Sequence, residues 1–381
     1  MRNALLWIVL GAIAVLGSVE ARADPVVINK LVSDLPGAQV TDPNLVNPWG
    51  VSFNPAGPFW VSNNGTGTST LYNVNPLTEL TSKLGLTVKI PGDGSVTGQV
   101  FNTSTATGAF NADNFLFVSE DGTISGWRGA LGTTAEVLNP GSVNNVYKGS
   151  AFAVTGGHAY LYEANFRSGA IDVLKGDAGA PSLPGAFVDP SAVAGYAPFN
   201  IQNLNGTLYV TYAKQDATKH DEVAGAGNGY VDAFDLNGNF LRRVVSNGGL
   251  LDAPWGLAIA PSSFGSLAGK LLVGNFGDGR ITAYDPTTGA SSGQLLDTAG
   301  NPIVIDGLWA LTAGNDTRSG SSQRVYFTAG IGGESHGLFG SITAVPEPSP
   351  IVLGCLTALG GIVILRGRRF LNRKPAAIIT A

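Results

Sequence analysis

The sequence predicts an all-β protein, a six-bladed β-propeller flanked by an N-terminal signal peptide and a C-terminal transmembrane sorting helix. Three observations predict it. A unit of about 50 residues recurs six times, and no long segment with the 3.6-residue period of a helix lies between the copies. The repeat region is also bracketed by two apolar stretches with charged flanks.

Residues 1–23 have the order of a secretory leader. Arg2 is followed by an apolar run from Ala4 to Gly17, and Ala21-Arg22-Ala23 offers small side chains at the two positions a signal peptidase must accept. An anchor would need about 20 apolar residues to cross a bilayer. This run is shorter and ends in Glu20 and Arg22, so the mature chain is expected to start at Asp24 and the propeller to occupy residues 24–345.

Two copies of the repeat are plain. Asn47-Pro48-Trp49-Gly50-Val51-Ser52-Phe53 matches Ala253-Pro254-Trp255-Gly256-Leu257-Ala258-Ile259. Each is followed by a Pro/Gly turn, an apolar strand (Phe59–Asn64 and Leu271–Phe276), an Asn-Gly-type turn and a further strand. Weaker copies start near Thr97, Lys148, Ala197 and Asp306, with second strands at Leu116–Ser119, Leu161–Ala164, Leu208–Thr211 and Val325–Thr328. The starts at 50, 98, 149, 199, 256 and 307 leave room for about four short strands per unit, the size of a propeller blade. The extra strand at Val26–Val32 is expected to complete the last blade beside Gly340–Ala344, so that both chain ends latch the ring. A parallel sheet with crossover helices would need helical segments that are not there.

The Pro-Trp-Gly starts and the Leu271-to-Asp285 copy resemble NHL-type propeller repeats. With the segment from Tyr212 to Gly225 and Ser335-His336-Gly337-Leu338-Phe339-Gly340-Ser341, nearly the whole mature chain resembles a family of exported propellers that has no assigned activity. The resemblance implies a fold and an address rather than a reaction.

The chain ends in a second signal. Pro346-Glu347-Pro348 precedes an apolar run from Ile351 to Leu365 and then Arg366, Arg368, Arg369, Arg373 and Lys374. Basic residues after an apolar span hold that end in the cytoplasm. Residues 346–381 resemble the PEP-CTERM sorting signal of Gram-negative bacteria, and the last 12 of them run past the usual end of such tails. The resemblance implies an exosortase-type sorting enzyme as partner, transient anchoring in the inner membrane, and delivery to the cell surface or extracellular matrix. An ordinary C-terminal anchor is the alternative.

Composition narrows the function. Setting aside the seven basic and two acidic residues of the end segments leaves 15 basic and 25 acidic residues, a charge near −10. Nucleic acid needs a basic footprint and is excluded as a partner; cations, neutral sugars and basic partners fit. The only cysteine, Cys355, lies in the apolar tail, so the propeller has no disulfide, thiol nucleophile or cysteine metal site.

In a propeller the loops before each inner strand and after each second strand share one rim around the channel mouth, where binding chemistry gathers. The rim residues expected to touch a ligand are Asn63, Glu120, Asn165, Lys214, Asp216, His220, Asp221, Asn275, Glu334 and His336. Glu120, Asp121, Asp252, Asn275 and Asp306 are the oxygen donors that could hold Ca²⁺ or another divalent cation, although Asn and Asp also favour turns for local reasons. The stretch from Lys214 to Asn228 is the longest rim loop, and its Gly225–Gly229 segment would make it mobile or let it pack close to a neighbour. His220 beside Asp221 has the order of a general base oriented by a carboxylate; a solvated charged lobe is the plain alternative. Trp49, Trp255 and Trp309 read as inter-blade core, and Trp127 as an exposed aromatic.

Two functions follow. The first is a surface- or matrix-directed binding module that presents its rim to an exopolysaccharide or a surface protein. The second is a metal-dependent, lactonase-like hydrolase or lyase, with rim Asn, Asp and Glu holding the ion and His220, His336 or Lys214 carrying protons.

Overall fold

Turn residues set where the strands fold back. Between the first two strands of the fourth blade, Asn205 and Gly206 both adopt positive φ, 55° and 83°, the two-residue turn whose twist matches paired strands. The computed structural model describes residues 24–345. The targeting segments read in residues 1–23 and 346–381, including Pro346, Glu347 and Pro348, lie outside them. Among the described residues no helix is long and apolar enough to cross a membrane.

The strands form six antiparallel sheets arranged as blades. The six inner strands are Pro48–Ser52, Val96–Phe101, Tyr147–Thr155, Tyr196–Leu204, Pro254–Ile259 and Leu308–Ala313, one at each expected start. The second strands are Phe59–Asn63, Phe115–Ser119, His158–Asn165, Thr207–Lys214, Leu271–Asn275 and Val325–Ala329. Four blades have four strands each. The third has three, because residues 177–195 contain Pro181, Pro184 and Pro190, which cannot donate to a ladder. That segment docks instead on the next blade, where Gly185 and Phe187 donate to the carbonyls of Asn237 and Gly238.

The expected latch is present. The strand Val26–Ser33 runs antiparallel to Leu338–Ala344 with Val26 opposite Ala344 and Ser33 opposite Leu338, and a short parallel strand, Val40–Thr41, extends the sheet to five. Joining the two ends in one sheet closes the ring non-covalently and hides an edge.

Each inner strand carries a bulge against its second strand. There the blades approach closely: a Cβ on Gly50 would sit 2.6 Å from the Thr97 carbonyl, and one on Gly98 would sit 2.6 Å from the Ser150 nitrogen. Glycine is required at both places to let backbones meet. Polar side chains bridge the same junctions, with Gln99 Nε2 donating to the Gly50 carbonyl at 2.9 Å and Asn200 Nδ2 to the Trp255 carbonyl at 2.8 Å.

The three expected core tryptophans do more than separate blades. Trp49, Trp255 and Trp309, from the first, fifth and sixth blades, meet in one cluster with Phe199 and Phe166. Trp49 and Trp309 stack at 3.5 Å, and Trp255 meets Trp309 edge-on at 5.9 Å. Together they plug the channel just below the rim. Trp127, by contrast, is buried: it packs on Trp60 at 4.8 Å and donates its indole N–H to the Gly132 carbonyl. The neighbouring Arg128 turns away to Asp113 and Glu136, so this aromatic is core rather than surface.

Candidate binding site at the channel mouth

On top of the tryptophan plug lies a lysine. Lys148 is the second residue of the inner strand of the third blade, just before Gly149 of the repeat. Its side chain is 1% exposed, and its ammonium lies 5.2 Å from the centre of the Trp49 ring and 5.9 Å from that of Phe166. An indole face attracts a cation, but burying an ammonium costs several kcal/mol unless anions pair with it. Glu120, after the second strand of the second blade, accepts a short hydrogen bond from Nζ, and Asp221 of the long loop accepts another at 3.1 Å. Burial pushes the Lys148 pKa down, but Glu120, Glu222 and Asp221 more than offset it, leaving the group above its ordinary value.

The arrangement extends around the rim. Asn64 Nδ2 donates to the other oxygen of Glu120 at 3.1 Å, and Asn64 Oδ1 accepts from Asn47 Nδ2 at 3.4 Å; Asn47 Nδ2 also donates to Glu334 at 2.6 Å. Asn47 Oδ1 accepts the indole N–H of Trp309 at 3.0 Å, and the Trp255 indole donates to the Lys148 carbonyl, so plug and rim are one network. Burial raises Glu222 to about 7, with Glu334 and Asp221 adding to the rise and Lys148 opposing it. Burial likewise raises Glu334. Asp221 is lowered, because Lys148 and His220 outweigh its own desolvation. The mouth therefore holds four carboxyls around one ammonium, and one of them titrates near neutrality.

The long loop is a packed lobe, the second of its two expected forms. Asp216 accepts from the His220 backbone at 2.9 Å and from the Thr218 hydroxyl at 2.6 Å; Gly225 donates to Asp252 at 2.6 Å, and Gly227 to the Leu251 carbonyl. His220 Nδ1 lies 2.8 Å from Asp221 Oδ1. Ligand atoms of Glu120, His220 and Asp221 fall within 4.8 Å of one another, near enough for one metal ion. Those residues could hold a divalent cation only by displacing the Lys148 ammonium, which already bonds both carboxylates. Beside them Asp93, Asp121, Arg167 and His220 border a polar recess of about 430 Å³.

The other expected site residues stand apart. Asn63, Asn165 and Asn275 end their second strands fully buried and bond within their own blades, to Thr68 and Thr70, to Asn145 and Asp172, and to Leu250 and Asp278. Asp121 accepts from the local backbone nitrogen of Thr123, and Asp306 from that of Gly332, 26 residues on. Lys214 is exposed, and His336 pairs with Asp34 at 2.7 Å rather than with His220. Lys148 and Glu222 were not among the ligand or metal candidates. The signal that could have marked Lys148 is its place: a lysine where the repeat leads into the inner strand must enter the channel.

No family model matches the chain. Two proteins of Acanthamoeba polyphaga mimivirus are similar to it. "Uncharacterized protein L690" is 33% identical over 317 residues, covering 79% of this chain and 81% of that protein. "Uncharacterized protein R648" is 34% identical over 333 residues, covering 83% of this chain and 79% of its own length. Among solved structures, a glucose dehydrogenase shares the fold with 12% identity and a TM-score of 0.50 over 84% of this chain and 100% of that one. At 34% identity across most of both chains, this six-bladed propeller belongs to the same family as the mimivirus protein R648.

Proposed function

We propose that this propeller is an exported recognition module, directed to the cell surface or matrix, which binds a basic segment of a surface protein at the channel mouth. The observation that carries the reading is the group of Glu120, Asp221, Glu222 and Glu334 around the single buried ammonium of Lys148, on a channel closed beneath by indoles. Four carboxyls facing one fixed cation leave an excess of negative charge where a partner's lysine or arginine can dock, and the plug keeps that partner on the surface. Complementary charge of this kind sets specificity and association rate more than affinity. The tail that resembles a PEP-CTERM signal and the leader-like residues 1–23 supply the address, with transient inner-membrane anchoring before an exosortase-type enzyme removes the tail. The NHL-like repeats are in keeping with a scaffold for rim loops.

Titration of the purified 24–345 propeller with an oligo-arginine peptide, by calorimetry at low and moderate salt, tests the reading. Binding is expected to weaken with salt, to tighten as pH rises through about 7 when Glu222 ionises, and to fall at least about ten-fold in the double variant Glu222→Gln/Glu334→Gln. A peptide that binds the double variant equally well sinks the proposal, and retention of an exopolysaccharide at the same rim in its place would move the reading to a glycan.

A second reading, a metal-dependent lactonase-like hydrolase or lyase, draws on the Glu120, His220 and Asp221 group. Elemental analysis and thermal melts with and without chelator separate it from the first. It expects one divalent ion per chain and a chelator-sensitive melt that Lys148→Met strengthens by vacating the cation position. Metal-free protein with an unchanged melt would leave the lysine as the only cation at the mouth.

A further inference from the structure

Below the tryptophan plug the channel opens again. A cavity of about 380 Å³ runs from Trp255 to the face where the inner strands end, and all six blades line it. This volume falls within the roughly 300–1,000 Å³ usual for small-molecule sites. Its chemistry is the reverse of the rim's: the lining contains no Asp, Glu, Lys, Arg or His. What it offers is backbone and neutral side chains. Each inner strand has a hydrogen-bonded neighbour on one side only, so its other edge turns N–H and C=O groups toward the channel. At the exit, Phe53, Phe101 and Phe152 of the first three blades are half-buried. On the next blade from Phe152 stands Gln202, half-buried, whose side-chain amide bonds no other residue among those described; its neighbour Asn203 is tied to the Phe152 carbonyl at 3.1 Å.

We propose that this cavity is a second binding site, for one uncharged sugar ring. A charged ligand would be stripped of water in a lining with no counter-charge, at a cost of several kcal/mol. A purely apolar ligand would leave the strand edges and Gln202 without partners, which is also unfavourable. A pyranose meets both demands. Its hydroxyls donate and accept, matching mixed N–H and C=O edges, and its C–H faces pack against phenylalanine rings. The site does not depend on the rim reading, because the clustered Trp49, Trp255 and Trp309 separate the two ends of the channel.

Saturation-transfer NMR and calorimetry with methyl β-glucopyranoside and methyl β-galactopyranoside test this, with glucuronate as the charged control. At least one neutral glycoside is expected to bind at millimolar concentration, and glucuronate about ten-fold more weakly or not at all. Two variants at half-exposed exit positions locate the site: Thr312→Trp, which covers the opening, and Gln202→Leu, which removes the free amide. Each is expected to weaken the neutral ligand about ten-fold, whereas Glu222→Gln/Glu334→Gln at the rim leaves it unchanged. Absence of binding by both neutral glycosides, equal binding of glucuronate, or sugar binding indifferent to both exit variants would each overturn the proposal.

Discussion

Replacing Lys148 by methionine should destabilise the propeller by about 3–5 kcal/mol at neutral pH, the usual cost of leaving a buried charge without its partner. The lysine is 1% exposed and Glu120 is 12% exposed, so the anion most affected cannot recover its hydration in place. Asp221, 63% exposed, is screened by water and contributes little to the loss. The variant should also acquire a pH dependence. Without the ammonium, burial raises the carboxyl pKa values at the mouth in the folded state, so the fold binds protons more readily than the unfolded chain and regains stability as pH falls through those raised values. Urea titrations at about pH 5 and about pH 8 read this as a smaller penalty in acid. Adding Glu120→Gln to Lys148→Met should restore a large part of the loss, because removing both partners is cheaper than removing one. Equal stability of wild type and Lys148→Met at pH 8 would mean that the rim carboxyls are already neutral or hydrated, and that the lysine is a spectator.

Glu163→Gln should have the opposite sign and stabilise the protein. Glu163 lies on the second strand of the third blade, is fully buried, and neither carboxyl oxygen has a hydrogen-bond partner. Burial pushes its pKa well above the ordinary carboxylate value, and the nearby Asp172 adds to the rise. The folded state therefore keeps the proton that the unfolded chain releases above about pH 4.3. With more protons bound in the native state, stability falls as pH rises, by about 1.4 kcal/mol per pH unit until the folded group itself ionises. Glutamine keeps the shape and cannot ionise, so its advantage should be near zero in acid and grow steadily toward neutral pH. Thermal or urea melts of the two proteins across that range give the difference directly. A gap that stays constant with pH would show that Glu163 is not the titrating group.

The fold was legible because a propeller repeats its local chemistry. Pro-Trp-Gly at 48–50 and 254–256 marks inner strands, since glycine is needed where blades touch, and the remaining starts follow by spacing. The third blade's missing strand is equally written in Pro181, Pro184 and Pro190, but a prolyl segment is easily taken for a long turn. The site was legible only in part. Glu120, Asp221, His220 and Glu334 are polar rim residues, and the fold brings three of them to Lys148 or its immediate partners. Lys148 itself escaped because a lone lysine near the start of a strand resembles any solvated residue. Its burial is produced by partners 28 and 73 residues away, which local pattern cannot reveal. Asn63, Asn165 and Asn275 drew attention for the converse reason: the same amide that could bind a ligand also closes a turn, and burial decides which. Trp127 shows that a residue next to an arginine is not thereby exposed; the cation has its own partners.

The latch that closes the ring also gives the molecule a polarity. Val345 donates to the Pro25 carbonyl at 2.7 Å, so the two ends of the described chain are side by side. The strand that ends at Ala344 runs away from the rim, and the one that starts at Val26 runs toward it. Both described ends thus lie at the floor of the disc, the face onto which the uncharged cavity opens. A propeller held by either end behaves like a dish on a stalk. Its acidic mouth looks outward, to whatever approaches from solution, and its neutral cavity looks back along the stalk, so the two ends of one channel sample different neighbourhoods.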